Sequence, residues 1–275
     1  MKVFCIKTKN LRFTSDHIYI MGVLNITPDS FSDGGDFLDS ELAFQRAFEI
    51  QEQGAHILDI GAQSTRPGFK FIDGKTEWDR LKKPLKLIVN KIKIPVSIDT
   101  FHPYVAERAA DLGVDIINDI SGFKDKNMIG LVKKSNLSLI VMQNGPLNCT
   151  YKFLNSKFYE LMEDSIEKER MCFDPGVGFG KNNDENLYIF KNPLEFSPKD
   201  NFVLIGASRK RITSLACNEE ASPKKRLIPT IVAHTISAFN GANILRVHDA
   251  KEGVQAAKML EFILKNDLNK ETLIQ

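Results

Sequence analysis

A chain of 275 residues, 43% hydrophobic, 26% charged and 9% aromatic, has ample apolar surface for a core, which excludes intrinsic disorder. Lys and Arg number 37 against 35 Asp and Glu, a net charge of +2 with no basic stripe, which argues against a nucleic-acid binder. No segment reaches the roughly 20 apolar residues that span a bilayer, so no membrane partner is expected.

The N-terminal stretch MKVFCIKTKNLRF lacks the uninterrupted apolar run of a secretory signal. Cys5, Cys149, Cys172 and Cys217 are far apart and form no CxxC pair. Free thiols in a reducing, cytoplasmic setting are therefore expected rather than a disulfide framework. The five histidines form no HxH or HxxxH, which argues against a zinc hydrolase.

Short apolar runs alternate with helical stretches from end to end. The runs are Ile18–Val23, His56–Ile60, Pro95–Ile98, Asp115–Asn118, Leu139–Met142, Met171–Phe173, Phe202–Ile205 and Asn243–Val247. Runs of this kind suit strands buried on both faces, as in parallel sheets. Among the helices, Ser40–Gln53 has Ser40 as its expected cap and stops before Gly54, Pro103–Leu112 stops before Gly113, and Lys225–Asn240 stops before Gly241. Glycine just past a helix fits the left-handed closing turn. The basic triplet Lys224–Arg226 reads as a solvated loop.

Three helix-to-strand joints resemble one another: Gly54-Ala-His-Ile-Leu-Asp, Gly113-Val-Asp-Ile-Ile-Asn and Gly241-Ala-Asn-Ile-Leu-Arg. They suggest a weakly repeated βα unit. Eight such units predict an α/β (β/α)8 TIM barrel, a single domain over residues 1–275 with its core at about 18–265. Periodicity alone leaves an open doubly wound sheet as the alternative.

Polar residues follow the apolar runs: Asn25, then Asp59 with Ser64-Thr65-Arg66, Asp99, Asn118-Asp119, Met142-Gln143, Asp174, Ser208-Arg209-Lys210, and finally Arg246 with His248. In a barrel these ends converge on the face where active sites are built. The loops opening at Asn25 and Gly61 are long and rich in Gly, Ser, Asp and Pro, as functional loops often are. Asp174–Lys181 meets neither GxxxxGK[ST] nor GxGxxG, so its alternating glycines fit a backbone turning beside a flat ligand.

Asp99, Asn118 and Asp174 offer two carboxylates and an amide suited to a heterocycle with several N–H donors. Arg66, Arg209, Lys210, Arg246 and His248 offer positive charge suited to an anion, since arginine forks onto phosphate oxygens. Asn25 could give an oxygen to a phosphate-bound hard cation such as Mg2+. A planar polar ring at one end and a phosphate at the other is what these residues fit.

Met21-Gly-Val-Leu-Asn-Ile-Thr-Pro-Asp-Ser-Phe-Ser-Asp-Gly-Gly35, Gln63-Ser-Thr-Arg-Pro-Gly68, Ser97-Ile-Asp-Thr100, Phe173-Asp-Pro-Gly-Val-Gly-Phe-Gly-Lys181, Ser208-Arg-Lys210 and Arg246-Val-His-Asp249 together resemble the motifs of the dihydropteroate synthases. They occur in the family's order and span roughly Ile18 to Leu264. The resemblance implies a folate-pathway transferase, usually a homodimer and a sulfonamide target. It joins p-aminobenzoate to (7,8-dihydropterin-6-yl)methyl diphosphate. It further implies that Asp99, Asn118, Met142, Asp174 and Lys210 hold the pterin. Thr65, Arg66, Arg246 and His248 would bind diphosphate. Thr65, Pro67, Phe179 and Lys210 would frame the p-aminobenzoate pocket. Asn25 would ligate Mg2+, and Lys210, Asp33 and Arg66 would act in catalysis, Asp33 by steadying the reacting methylene.

The implied reaction loosens the C–O bond to diphosphate first and leaves a cation stabilised by ring nitrogen. It needs fixed positive charge rather than a strong base. Three positions depart from the family pattern. Gln63 stands where Glu is common, Arg211 where Ser is common, and Ile140–Pro146 lacks the histidine-containing version. The alternatives on the same fold are a pterin-binding methyltransferase, whose cobalamin-type Asp-x-His-x-x-Gly pattern is missing, and a non-catalytic pterin-binding paralogue.

Overall fold

Strands that are apolar on both faces need cover on both sides, and this chain provides it by closing its sheet. The computed structural model describes residues 1–27, 35–63, 71–217 and 222–266. An antiparallel hairpin, β1 (Val3–Ile6) and β2 (Leu11–Thr14), comes first. Eight parallel strands follow: β3 (Tyr19–Asn25), β4 (Ile57–Gly61), β5 (Val96–Asp99), β6 (Ile116–Asp119), β7 (Ser138–Met142), β8 (Met171–Asp174), β9 (Phe202–Ile205) and β10 (Ile244–Val247). They pair in chain order, and β10 pairs with β3, which closes the barrel and removes the open-sheet alternative.

The helices are α1 (Gly35–Glu52), α2 (Gly74–Lys91), α3 (Pro103–Leu112), α4 (Lys126–Lys134), α5 (Leu147–Glu163), α6 (Asn183–Lys191), α7 (Leu227–Phe239) and α8 (Ala250–Lys265). Among the described residues, no helix is long and apolar enough to cross a membrane.

The strand ends differ from expectation in an informative way. Ladder pairing continues through Asn25 with Gly61, Asp99 with Asn118, and Met142 with Asp174. Asn25 and Gly61, expected to open loops, are therefore the last residues of their strands, while Asp99, Asn118, Met142 and Asp174 stand at strand ends as expected. Ser40 is not a cap. Residues 35–39 are already helical, so Ser40 sits buried inside α1 with no end amides to satisfy. The helix expected from Lys225 starts at Leu227, because Pro223–Lys225 forms a separate 3-10 turn and Arg226 breaks the helical path. Arg226 is also not simply solvated, since Nη1 donates to the carbonyl of Arg209 at 2.9 Å.

The hairpin has no counterpart in the sequence reading. Phe4, Ile6 and Phe13 pack with Tyr19, Met21, Ile57, Ile116, Ile140, Cys172, Phe202, Leu204 and Ile244 in one interior cluster. These are inward residues from the early part of most of the barrel strands, so the hairpin plugs the barrel's N-terminal end. Ser138 Oγ donates to the carbonyl of Cys5 at 2.7 Å, and Thr8 Oγ1 donates to Asp115. A second, larger core lies between the barrel and its helices.

One buried acid fastens α2 to the barrel. Glu77, in the first turn of α2, is 1% exposed, and its Oε2 accepts from Thr100 Oγ1 at 3.1 Å. Its Oε1 has no hydrogen-bond partner. Burial pushes its carboxyl from 4.5 up to about 8. The nearby Asp99 carboxylate pushes the same way, while the Thr100 bond and Arg80 oppose. Between those two pH values the folded chain holds a proton that the unfolded chain has lost, so stability must fall as pH rises. We expect wild type to lose on the order of 1.4 kcal/mol per pH unit relative to Glu77→Gln across this window. Urea denaturation at about pH 5.5 and about pH 7.5 measures it. A difference between the two proteins that does not change with pH contradicts the assignment.

Candidate active site

Side chains alternate along a strand, so residues two apart share a face. Asp59, Asn118, Met142, Asp174 and Arg246 each lie two residues after a member of the interior cluster: Ile57, Ile116, Ile140, Cys172 and Ile244. The parity that fills the lower barrel with apolar side chains thus points polar ones inward at its C-terminal end. Asp99 joins them through its register with Asn118.

Arg246 organises this layer. Its Nε donates to Asp59 Oδ2 at 2.7 Å, and one Nη donates to Asp99 Oδ2 at 2.7 Å while lying 2.6 Å from Asp59 Oδ2. Asn118 Nδ2 donates to the same Asp59 oxygen at 3.2 Å. Burial opposes the charge on Arg246, but Asp59 and Asp99 outweigh it and hold the guanidinium more firmly cationic than usual. Burial raises Asp99, to about 7. Arg246 pulls it down, and Asp59 and Asp119 push it further up. With a guanidinium in direct contact, we take Asp99 as the anionic partner of the pair.

Across the mouth, Asp174 is buried and its Oδ1 accepts from the amide of Gly176 at 2.7 Å. Burial raises its carboxyl, and Lys210 is the largest opposing influence. Burial lowers Lys210 to about 8, with Asp174 raising it. The Lys210 ammonium donates to the carbonyl of Val177 and lies 4.5 Å from the centre of the Phe179 ring. Gly176 has φ +74°, and a Cβ there would lie 2.0 Å from the carbonyl oxygen of Gln143, so no other residue fits. Met142 is buried at the end of β7.

His248 takes its place beside Ser208, whose Oγ accepts from the His248 amide at 3.1 Å and lies 3.0 Å from its Nδ1. Arg209 is a correction. Offered above as charge for an anion, it instead forks onto Asp249 at the start of α8, with contacts of 2.5 and 3.1 Å. Asn25 ends β3 close to Asp99, since a Cβ on Gly61 would touch both, at 3.9 Å from Asn25 Oδ1 and 3.5 Å from Asp99 Cβ. Among the described residues, no group of three or more His, Cys, Asp or Glu could hold a metal. Asp33, Thr65, Arg66 and Pro67 lie outside the described residues.

The structure therefore brings Asp99, Asn118, Asp174, Lys210 and Arg246 into one charged cluster, with Met142, Phe179 and His248 at its borders. The sequence reading placed Asp59 at the end of its strand but gave it no role, whereas the structure makes it the shared acceptor of Arg246 and Asn118. Its signal was present: Asp59 is a lone carboxylate inside the apolar run Ile57–Ile60, and a buried charge requires a partner.

The sequence matches the family described as pterin binding enzyme over residues 21–248. It is 37% identical over 268 residues to a dihydropteroate synthase of Clostridium beijerinckii, covering 91% of this chain and 96% of the relative. A Xanthomonas albilineans dihydropteroate synthase solved with 4-aminobenzoic acid superposes with a TM-score of 0.87 at 31% identity, covering 93% of this chain and 96% of that one. The same organism's enzyme in complex with 7,8-dihydropteroate gives 0.84 at 29% identity, over 93% and 97%.

Proposed function

The chain belongs to the dihydropteroate synthases, transferases of folate biosynthesis, and from that membership we propose which of its residues perform the condensation. Residues 1–275 act as one pterin-binding barrel domain with a core at about 18–265. The substrates are (7,8-dihydropterin-6-yl)methyl diphosphate and p-aminobenzoate, and the products are 7,8-dihydropteroate and diphosphate. The observation that carries the assignment of roles is the Asp59–Arg246–Asp99 cluster facing Asp174 and Lys210 across one barrel mouth.

Asp174, Asp99 and Asn118 accept and donate along the edge of the pterin, and Met142 packs on its face. Lys210 lies between the pterin and p-aminobenzoate, with Phe179 forming one wall of the latter's pocket. That pocket is the one a sulfonamide would enter. Arg246 and His248 face the diphosphate, and we assign Thr65, Arg66, Pro67 and Asp33 their family roles at the same centre.

Charge develops on the diphosphate as the C–O bond breaks, and fixed cations stabilise it there without reorganising. The aniline nitrogen then attacks the methylene cation and becomes acidic only afterwards, so no strong base is required.

The donors at the mouth fit Mg2+ only as an ion carried in by diphosphate. Asn25 would give one amide oxygen, and the remaining ligands would be phosphate oxygens and water. When bound, the ion neutralises charge on the departing diphosphate.

We also propose a homodimer. Ile228, Val232, Ile236 and Phe239 form an exposed apolar stripe on α7, and Met259 and Phe262 continue it on the adjacent α8. A second copy covering this face fits its size and chemistry. The free thiols of Cys5, Cys149 and Cys172 suit a reducing cytoplasm. Sedimentation should give a dimer for wild type and a monomer for Ile236→Glu; a wild-type monomer contradicts the dimer.

The activity is tested by diphosphate release that requires p-aminobenzoate. Lys210→Ala and Arg246→Ala should each lower kcat on the order of 10²–10³-fold, and Lys210→Ala should also raise the KM for p-aminobenzoate. Asp174→Asn should weaken calorimetric binding of a pterin fragment by about 1–3 kcal/mol. Pterin binding without turnover would mark a non-catalytic paralogue, and full activity in Arg246→Ala would contradict the assigned roles.

A further inference from the structure

The most heavily bonded cation at the barrel mouth has no part in the chemistry above. Lys181 Nζ donates to Gln143 Oε1 at 2.8 Å, to the carbonyl of Gly145 at 2.7 Å and to the carbonyl of Phe179 at 3.3 Å. An ammonium has three donors, and these contacts occupy all of them, so the group has none left for a ligand. Its partners belong to two different loops. Gln143 and Gly145 follow β7, while Phe179 follows β8.

The two loops touch closely along this line. A Cβ on Gly180 would lie 2.8 Å from the Gly145 Cα, and the Gly145 amide donates to the Phe179 carbonyl at 3.4 Å. Gln143 is itself held, since its Oε1 accepts from Thr150 Oγ1 at 2.9 Å. The anchor therefore reaches back to α5. The Phe179 carbonyl thus accepts from both Lys181 and Gly145, while the Phe179 ring stands 4.5 Å from the Lys210 ammonium.

We propose that Lys181 is a positioning residue whose ammonium clasps the loop after β8 to the loop after β7 and thereby fixes the Phe179 ring beside Lys210. This rests on the assignment of Phe179 to the p-aminobenzoate pocket. Burial lowers Lys181 to about 8, opposed by Asp174 and Glu185. The clasp acts on one side of the mouth only. The Asp59–Arg246–Asp99 cluster shares no bond with it, and Asp174 feels Lys181 only through its charge, so the clasp bears more on p-aminobenzoate than on the pterin.

The test compares wild type, Lys181→Met and Lys181→Arg by steady-state kinetics, calorimetry with pterin-6-carboxylate, and amide hydrogen exchange. Lys181→Met should raise the KM for p-aminobenzoate on the order of tenfold, with a clearly smaller loss of pterin affinity. Exchange should accelerate at 143–145 and 176–180 and not in the barrel strands. Lys181→Arg should recover most of the KM.

An unchanged KM, or an equal loss of pterin affinity, overturns the proposal. Should Lys181→Met fail to fold, Gln143→Met removes one of the three acceptors, and a smaller shift in the same direction is expected; no shift overturns it. If wild type shows no release dependent on p-aminobenzoate, the assigned reaction fails. Hydrogen exchange then decides the clasp alone: faster exchange in the two loops supports it, and unchanged exchange overturns it.

Discussion

A guanidinium set between two carboxylates near the barrel axis constrains everything around it. Arg246 bonds both Asp59 and Asp99, and Asp59 also receives Asn118. Removing one partner from a buried ion pair typically costs about 3–5 kcal/mol, because the other charge is left uncompensated. The cluster therefore fixes β4, β5, β6 and β10 relative to one another at their C-terminal ends. It also stores the charge that the proposed reaction uses. Arg246 is already oriented by two carboxylates, so little reorganisation accompanies the appearance of negative charge on a leaving group in the proposed reaction.

The opposite end of the barrel has the converse chemistry. There the N-terminal hairpin inserts Phe4, Ile6 and Phe13 among inward apolar residues, and Phe13 stacks on Tyr19 with ring centres 3.9 Å apart. Sealing that end with apolar packing lets the other end carry carboxylates and cations in place of an apolar core. Function is concentrated at one rim because burial has been secured at the other.

The barrel was legible because its strands are short, apolar on both faces and evenly interleaved with helices closed by glycine, as at Gly113 with φ +99°. The hairpin was not. Val3–Ile6 and Leu11–Thr14 are interrupted by Lys7, Lys9 and Arg12, and their alternation is too short to stand out from a loop. The site was legible residue by residue at strand ends, where Asp99, Asn118, Asp174 and Arg246 all converge. Pairing was not. Nothing in a one-dimensional pattern says that Arg209 turns to Asp249 while Arg246 turns to Asp59, since both choices follow from barrel geometry. Lys181 was hidden for a related reason: it reads as part of a glycine motif, and two of its three acceptors, Gln143 and Gly145, lie on a segment that only the fold brings near.

The central claim is that Asp59, buried at the barrel mouth, holds Asn118 and Arg246, the groups proposed to meet the pterin and the diphosphate. Asp59 is fully buried, and its Oδ1 has no hydrogen-bond partner. Calorimetry on Asp59→Asn with a pterin fragment and, separately, with Mg2+-diphosphate tests this most directly. Losing the carboxylate should loosen Asn118 and Arg246 together and weaken both ligands, each on the order of tenfold or more. Wild-type affinity for both ligands in a folded Asp59→Asn protein would contradict the account.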